Sequence, residues 1–249
     1  MSLVRPMVDN RRISRKMTIN IDQCIINVRP VIKGAIKEAS HTLTEAYGND
    51  AILNWCVRGM QHKHDEFLYT LFKNMINAAT LQSRDFAIQV EGCKGVLVWT
   101  NNPQGCPWPR ALSVAQLARF IGWGSALHIL MKFQPSCDKT RRKVMASYPR
   151  YITIGYIGVL PHEQRKGLGG ALLQHVLDKA DASHYPVVVE ASTPAGVRFF
   201  EKYGFEVQAN VYLSRSELPM AIMVREPVTN DAPQPLRIKP GRQNSNGSM

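Results

Sequence analysis

The sequence has no uncharged apolar run of about 18 residues or more, the length a helix needs to cross a bilayer. Its nearest candidate, Leu112–Phe133, is interrupted by Gln116, Arg119, Gly122, Gly124, His128 and Lys132, and reads as a partly buried helix. Cysteine is sparse and unpaired in pattern: Cys24, Cys56, Cys93, Cys106 and Cys137 are odd in number, scattered, and nowhere spaced as C-x-x-C. That argues against a disulfide framework or a structural zinc, and for reduced thiols in a cytoplasmic compartment. His62 and His64 stand too close together on any helix to clasp a metal alone, so no metal is expected. Acidic residues are also short, 19 against 31 Lys and Arg, which leaves a net charge of +12.

That imbalance has two readings, an anionic partner or solvated charge on flexible segments. Part of it is local, since Arg5, Arg11, Arg12, Arg15 and Lys16 crowd the start and Lys139, Arg141, Arg142 and Lys143 form a second cluster. Charge is the sole argument for nucleic acid, which is not the expected partner. With 45% hydrophobic and 20% charged residues over 249 positions, the composition is that of an ordinary globular protein with a core of its own. One domain is expected over 24–226, between a loosely ordered basic leader, 1–23, and a disordered tail, 227–249, rich in Pro, Gly, Asn and Ser. The start lacks the apolar segment of a secretory signal; its Arg and Ser resemble a transit peptide, against which Asp9 and Asp22 speak.

Periodicity predicts a strand over Cys24–Val28 closed by Pro30, a helix over Val31–Tyr47 stopped by Gly48, and a second helix over Glu66–Leu81. Two strands, Asp85–Val90 and Gly95–Thr100, follow as a hairpin around Gly92. Ser113 and Gln116 form a capping-box start for the long apolar helix, and Gln134–Arg150 reads as loop. In the second half, Tyr151–Leu160 has the continuous apolar character of a central strand, and Gly167–Ala182 the face of a helix. Strand Pro186–Ala191, helix Pro194–Tyr203 ended by Gly204, and strands Phe205–Leu213 and Met220–Arg225 complete the set.

The chemistry concentrates in Ile157-Gly-Val-Leu-Pro-His-Glu-Gln-Arg-Lys-Gly-Leu-Gly-Gly-Ala-Leu-Leu173, a buried strand, a polar turn and a glycine-rich helix entry. Glycines there let backbone N–H groups approach an anion, and the helix N-terminus adds a favourable dipole. A Walker loop is excluded because neither Gly158 nor Gly167 begins G-x-x-x-x-G-K-[ST]; a dinucleotide fingerprint is excluded because Leu172 stands where its last glycine belongs. The pattern present is Q-x-x-G-x-G at Gln164, Gly167 and Gly169, which by itself also fits a structural turn. A further segment lies about twenty residues on: Glu190-Ala-Ser-Thr-Pro-Ala-Gly-Val-Arg-Phe-Phe-Glu-Lys-Tyr-Gly-Phe-Glu206, a strand and a short helix ending in Gly-Phe.

Together these segments resemble motifs A and B of the GNAT (Gcn5-related N-acetyltransferase) superfamily. The opening Val28-Arg-Pro and the run Leu97-Val-Trp-Thr-Asn-Asn-Pro extend the resemblance, over roughly Cys24–Glu226, to the puromycin N-acetyltransferase-like branch. It implies an α/β (α+β) fold: a central mixed, mostly antiparallel β-sheet, splayed open at its centre and flanked by helices. It implies acetyl-CoA as co-substrate, its pantetheine arm bonding the backbone at Gly158, Val159 and Leu160. The pyrophosphate would lie over Gln164, Arg165, Lys166, Gly167, Leu168, Gly169 and Gly170. The implied reaction is acetyl transfer to a primary amine, with a small molecule as the expected acceptor; a non-catalytic acyl-CoA-binding module is the alternative.

One departure bears on catalysis. The position where the family's motif B helix carries tyrosine, four residues before the Gly of Gly-Phe, is Phe200, and a phenyl ring donates no proton. Tyr203, later on the same helix, is either the substitute acid or a packing residue. Glu190 is the candidate base, or else a strand-end carboxylate satisfied locally. Tyr156 is a candidate for orienting water or substrate, or an ordinary strand aromatic. Ser192 caps the following helix or touches cofactor, and the Lys139–Lys143 cluster reaches a phosphate or an acidic substrate, or is simply loop.

Overall fold

The computed structural model describes residues 26–56, 63–101, 118–119, 122, 134–212 and 219–228. The predicted leader and tail lie outside these residues, as does all but a few positions of the helix predicted from Ser113.

Strands β1 (Val28–Pro30), β2 (Ala87–Val90), β3 (Gly95–Thr100), β4 (Ile152–Val159), β5 (Val187–Ala191), β6 (Glu206–Tyr212) and β7 (Pro219–Arg225) form one sheet in the order β1-β2-β3-β4-β5-β7-β6. Every neighbouring pair is antiparallel except β4 with β5, which run parallel. Their connection is the helix α5 (Leu168–Ala182), a βαβ crossover. The mixed, mostly antiparallel sheet expected above is therefore present.

The parallel pair carries the fold's functional irregularity. β4 and β5 pair only through Ile152–Ile154 with Val187–Val189. Beyond that point β4 stays with β3 as far as Val159 and β5 stays with β7 as far as Ala191, so the two part company and the sheet splays. The register explains where. Val98 faces Tyr156 while Trp99 faces Ile154, leaving Gly155 as an extra residue on β4. Such a bulge bends its strand and exchanges the faces of the residues beyond it.

The helices α1 (Ile36–Tyr47), α2 (Ala51–Cys56), α3 (His64–Gln82) and α4 (Gln134–Val144) precede the crossover, and α6 (Pro194–Glu201) follows β5. α1 rests directly on β4. A Cβ on Gly158 would stand 2.7 Å from Cβ of Ala46 and 2.9 Å from Cδ2 of Leu43, so glycine is what allows the close approach. On the other face Leu172 of α5 abuts Gly95 and Val159. Phe67, Leu68, Leu71, Phe72 and Ile76 of α3 join Leu43, Leu97 and Val176 in the main core, all of them fully buried. A smaller core gathers Cys137, Met145, Tyr151, Val188, Ile222 and Val224 beneath α4.

Several expectations are corrected. The first strand runs through Pro30 rather than ending before it, because β1 is an edge strand whose missing N–H need meet no partner. The predicted strand Asp85–Val90 begins only at Ala87; Arg84–Phe86 is a 3-10 turn capped by Ser83, whose hydroxyl accepts from Asp85 N–H. The helix α2 was not expected at all, and Gln134–Val144, read as loop, is helix. α4 turns Cys137 and Arg141 inward while Lys139, Arg142 and Lys143 stay exposed. Its charge masked the spacing.

Candidate active site

The splay opens a cleft of about 750 Å³ between β4 and β5. Its walls include the turn Gln164–Gly170, Tyr47 and Asp50 before α2, Arg141 of α4, Glu190 at the end of β5, and Phe199 and Tyr203 of the motif B segment. Residues far apart in sequence thus line one space.

The free edge of β4 is its first feature. Backbone groups alternate direction along a strand, so every second residue beyond the bulge turns its N–H and C=O toward the split. Leu160 N–H donates to Lys94 C=O at 2.9 Å and therefore faces β3. Ile157 and Val159 face the split. Val159 C=O accepts from Gln164 Nε2 at 3.3 Å, which gives the glutamine of the Q-x-x-G-x-G pattern a structural task. Ile157 is engaged on both sides by one side chain: Tyr47 Oη donates to its C=O at 3.2 Å and accepts from its N–H at 3.4 Å. Of the expected backbone contacts at Gly158, Val159 and Leu160, the geometry singles out Val159, adds Ile157, and gives Gly158 a packing role against α1.

The glycine turn is the second feature. Pro161–Glu163 makes one 3-10 turn; Arg165 and Gly167 then adopt left-handed conformations, φ +64° and +84°. Gly167 is the N-cap of α5 and no side chain caps the helix. The N–H groups of its first turn, Leu168, Gly169 and Gly170, precede any intrahelical acceptor and are open to an anion. Arg165 and Lys166 border them, with Lys166 Nζ 2.7 Å from Glu163. Arg198 and Lys202, both exposed, line the same end.

The third feature is a carboxylate held by a buried guanidinium. Arg141, 4% exposed, places Nη1 2.6 Å from Glu190 Oε1 and Nη2 2.5 Å from Asp138 Oδ1. Burial pushes the Glu190 carboxyl above its ordinary value, Arg141 pulls it back, and the net shift is upward. The Arg141 charge is held by those same two carboxylates against its own desolvation. Arg141 therefore does not reach out to a phosphate, as its place in the Lys139–Lys143 cluster suggested. Beside it, burial and the nearby Glu190 push the Cys137 thiol far up, leaving it protonated.

The remaining candidates fall as follows. Phe200, in the family's tyrosine position, is 4% exposed and packs on Phe205. Tyr203 lines the cleft, but its hydroxyl lies against Gly170, where a Cβ would overlap it. That puts the phenol over the first turn of α5. Tyr156 is half-buried, edge-on to Tyr47 and Phe72 at ring distances of 5.3 and 5.2 Å. Ser192 does not cap α6; Thr193 does, its Oγ1 accepting from Gly196 N–H at 3.1 Å. The Ser192 hydroxyl donates instead to Asp50 Oδ2, while Asp50 Oδ1 caps α2 through Ile52 and Leu53 N–H at 3.0 and 2.9 Å. Sequence reasoning missed Tyr47, Asp50 and the pairing of Arg141. The Gly48-Asn-Asp50 punctuation before an apolar run was the one available signal, an N-cap signature for α2. Among the described residues no cluster of three His, Cys, Asp or Glu is placed to hold a metal.

Comparison with known proteins bears on this geometry. Residues 143–225 match the family model described as an acetyltransferase (GNAT) domain, a span from the end of α4 through β7. An uncharacterized N-acetyltransferase of Schizosaccharomyces pombe is 24% identical over 209 residues, 78% of this chain and 80% of the relative. The fold is shared with a histone acetyltransferase HPA2 and related acetyltransferase of Corynebacterium glutamicum, at TM-score 0.56 and 17% identity over 83% of this chain and 99% of that one. It is also shared with a polyamine N-acetyltransferase of Drosophila melanogaster, at TM-score 0.52 and 21% identity over 80% and 97%. The splayed sheet, the glycine turn at its mouth and the matched segment agree: the chain contains a GNAT acetyltransferase domain and is a GNAT-type acyltransferase.

Proposed function

We propose that the chain transfers an acetyl group from acetyl-CoA to a primary amine of a small molecule, by direct attack in the split between β4 and β5. The observation that carries this reading is the uncapped, glycine-built N-terminus of α5, opening onto the free edge of β4 in the same cleft. A diphosphate fits there by charge and by space. The open N–H groups of Leu168, Gly169 and Gly170 can each donate to its oxygens, and Arg165 and Lys166 add charge-assisted contacts. Ile157 and Val159 offer the pantetheine arm the strand-edge groups its amides require.

Bound acetyl-CoA supplies a thioester carbonyl open to a neutral amine. The protein contributes position, proton acceptance and charge stabilisation. Glu190 ends its strand on the cleft wall, and desolvation raises its proton affinity, the direction a base needs at neutral pH. It takes the amine's proton directly or through water. Holding both reactants in one cleft removes much of the entropic barrier. The departing thiolate needs no dedicated acid, because a thiol pKa of about 8.5 makes it a tolerable leaving group. Tyr203 remains available at the diphosphate end.

A small amine suits the enclosed acceptor side, where α1, α2 and α4 close over the sheet. Fold neighbours named for agmatine and arylalkylamines support the same class. A cytoplasmic location accords with the free thiols of Cys93 and Cys137. Thiol release from acetyl-CoA is the test, measured with and without a panel of monoamines, diamines and aminoglycosides. Amine-dependent release with mass-detected N-acetyl product is the expected result. Saturable acetyl-CoA binding with no transfer to any amine would leave only a binding module.

A further inference from the structure

The transition state of acyl transfer places negative charge on the thioester oxygen, and that oxygen needs donors. Phe200 offers none, and the Tyr203 hydroxyl lies over Gly170. One tyrosine hydroxyl is lodged at the split itself. Tyr47, the last residue of α1, holds its oxygen against both the N–H and the C=O of Ile157, two residues beyond the bulge on the free edge of β4. It lines the cleft, half-buried, with its ring fixed by Phe72 and Tyr156 at centroid distances of 5.4 and 5.3 Å. Both of its hydrogen bonds, at 3.2 and 3.4 Å, are at or beyond the long end of the usual range and are exchanged at little cost.

Resting on the acetyltransfer reading above, we infer that Tyr47 is a catalytic residue, its hydroxyl joining Ile157 N–H as a donor to the thioester oxygen. As the amine nitrogen bonds to the carbonyl carbon, the carbonyl π pair moves onto oxygen, and Tyr47 O–H turns from Ile157 C=O to that oxygen. Collapse restores the carbonyl and expels the thiolate. Tyr47 keeps its proton throughout. Its surroundings favour that: burial first, then the carboxylate of Asp50, hold the phenol well above its ordinary value, so it is a donor and not a proton source. The position lies outside residues 143–225, so nothing in the matched segment points to it.

Tyr47→Phe keeps the ring and its packing, and separates this role from its rivals. The expected result is a fall in kcat of about 100-fold, in the range for loss of one oxyanion donor. The acetyl-CoA Kd, measured by calorimetry, should stay within about threefold or tighten, since a strand-edge N–H is freed. An unchanged kcat overturns the proposal, and so does a loss confined to acetyl-CoA binding. An unchanged kcat with a tighter Kd would show the hydroxyl to be a plug on the strand edge and nothing more. If the wild-type protein itself transfers no acetyl group, the acetyltransfer reading fails first, and unaltered melting of the variant shows the fold is not at issue.

Discussion

Glu190 and Arg141 are 49 positions apart in sequence and 2.6 Å apart in space. The groups around that carboxyl come from several elements: Arg141, Asp138 and Cys137 of α4, Tyr156 of β4, and Asp50, which takes the hydroxyl of Ser192 next to it along the chain. Desolvation raises the Glu190 value and Arg141 lowers it. Removing the guanidinium leaves the first effect unopposed, so more of the base is protonated at any given pH. Arg141→Met should therefore move the acid limb of the kcat/KM profile to higher pH, and Arg141→Lys should bring it part of the way back. Glu190→Gln should lower kcat/KM by about 100-fold, the low end for loss of a general base. A profile unmoved in Arg141→Met would show the pair to be structural. None of this was legible beforehand. Glu190 stood out because it ends a strand, whereas Arg141 looked like one of several loop cations.

At the scale of elements, α1 and β4 are packed so closely that one methyl group is too many. Gly158→Ala places a carbon 2.7 Å from Cβ of Ala46 and should cost about 1–3 kcal/mol, read as a lower midpoint in thermal or denaturant unfolding. The same shift displaces Tyr47, so activity should fall further than stability. A second tie joins α5 to β7. Arg225, 8% exposed, reaches Asp181 Oδ1 and Oδ2 at 2.8 and 2.9 Å, and Val228 N–H adds a bond at 2.9 Å. Burial alone would raise the Asp181 value, but the bonds from Arg225 and Val228 outweigh it and the net shift is downward. A depressed carboxyl stabilises the fold at pH values above its unfolded value, and the gain is lost as pH falls through the folded one. Asp181→Asn should thus cost about 2 kcal/mol near neutrality, and the difference from wild type should shrink below about pH 4. The strands and α5 were readable because their signals are local, a run of Val and Ile or a glycine opening an apolar helix. α2 is too short to show a period, α4 too charged, and the bulge at Gly155 arises from pairing with β3.

Over the whole molecule, charge is sorted along the cleft. Arg165, Lys166, Arg198 and Lys202 border the α5 end, while Asp50 and Glu190 stand on the acceptor side with Arg141 between carboxylates. An excess of +12 with this arrangement steers an anion to the first end. The KM for acetyl-CoA should therefore rise with ionic strength, since exposed charges more than about 10 Å apart are largely screened at 0.1 M salt. A KM flat from low to high salt would deny the steering. The family resemblance rested on two segments close together in the chain, and these built the cofactor end. The acceptor end was assembled from α1, α2 and α4, whose faces meet only when the sheet is formed. The most direct test of the whole account is a calorimetric titration of acetyl-CoA into folded wild-type protein and into Gly167→Val. A residue with a branched side chain is strained at the +84° φ of that helix cap, and its bulk stands over the open N–H groups. Saturable binding that weakens about tenfold or more in the variant, roughly 1.4 kcal/mol, is the predicted result. No heat from the wild-type protein, or equal affinity in both, would contradict it.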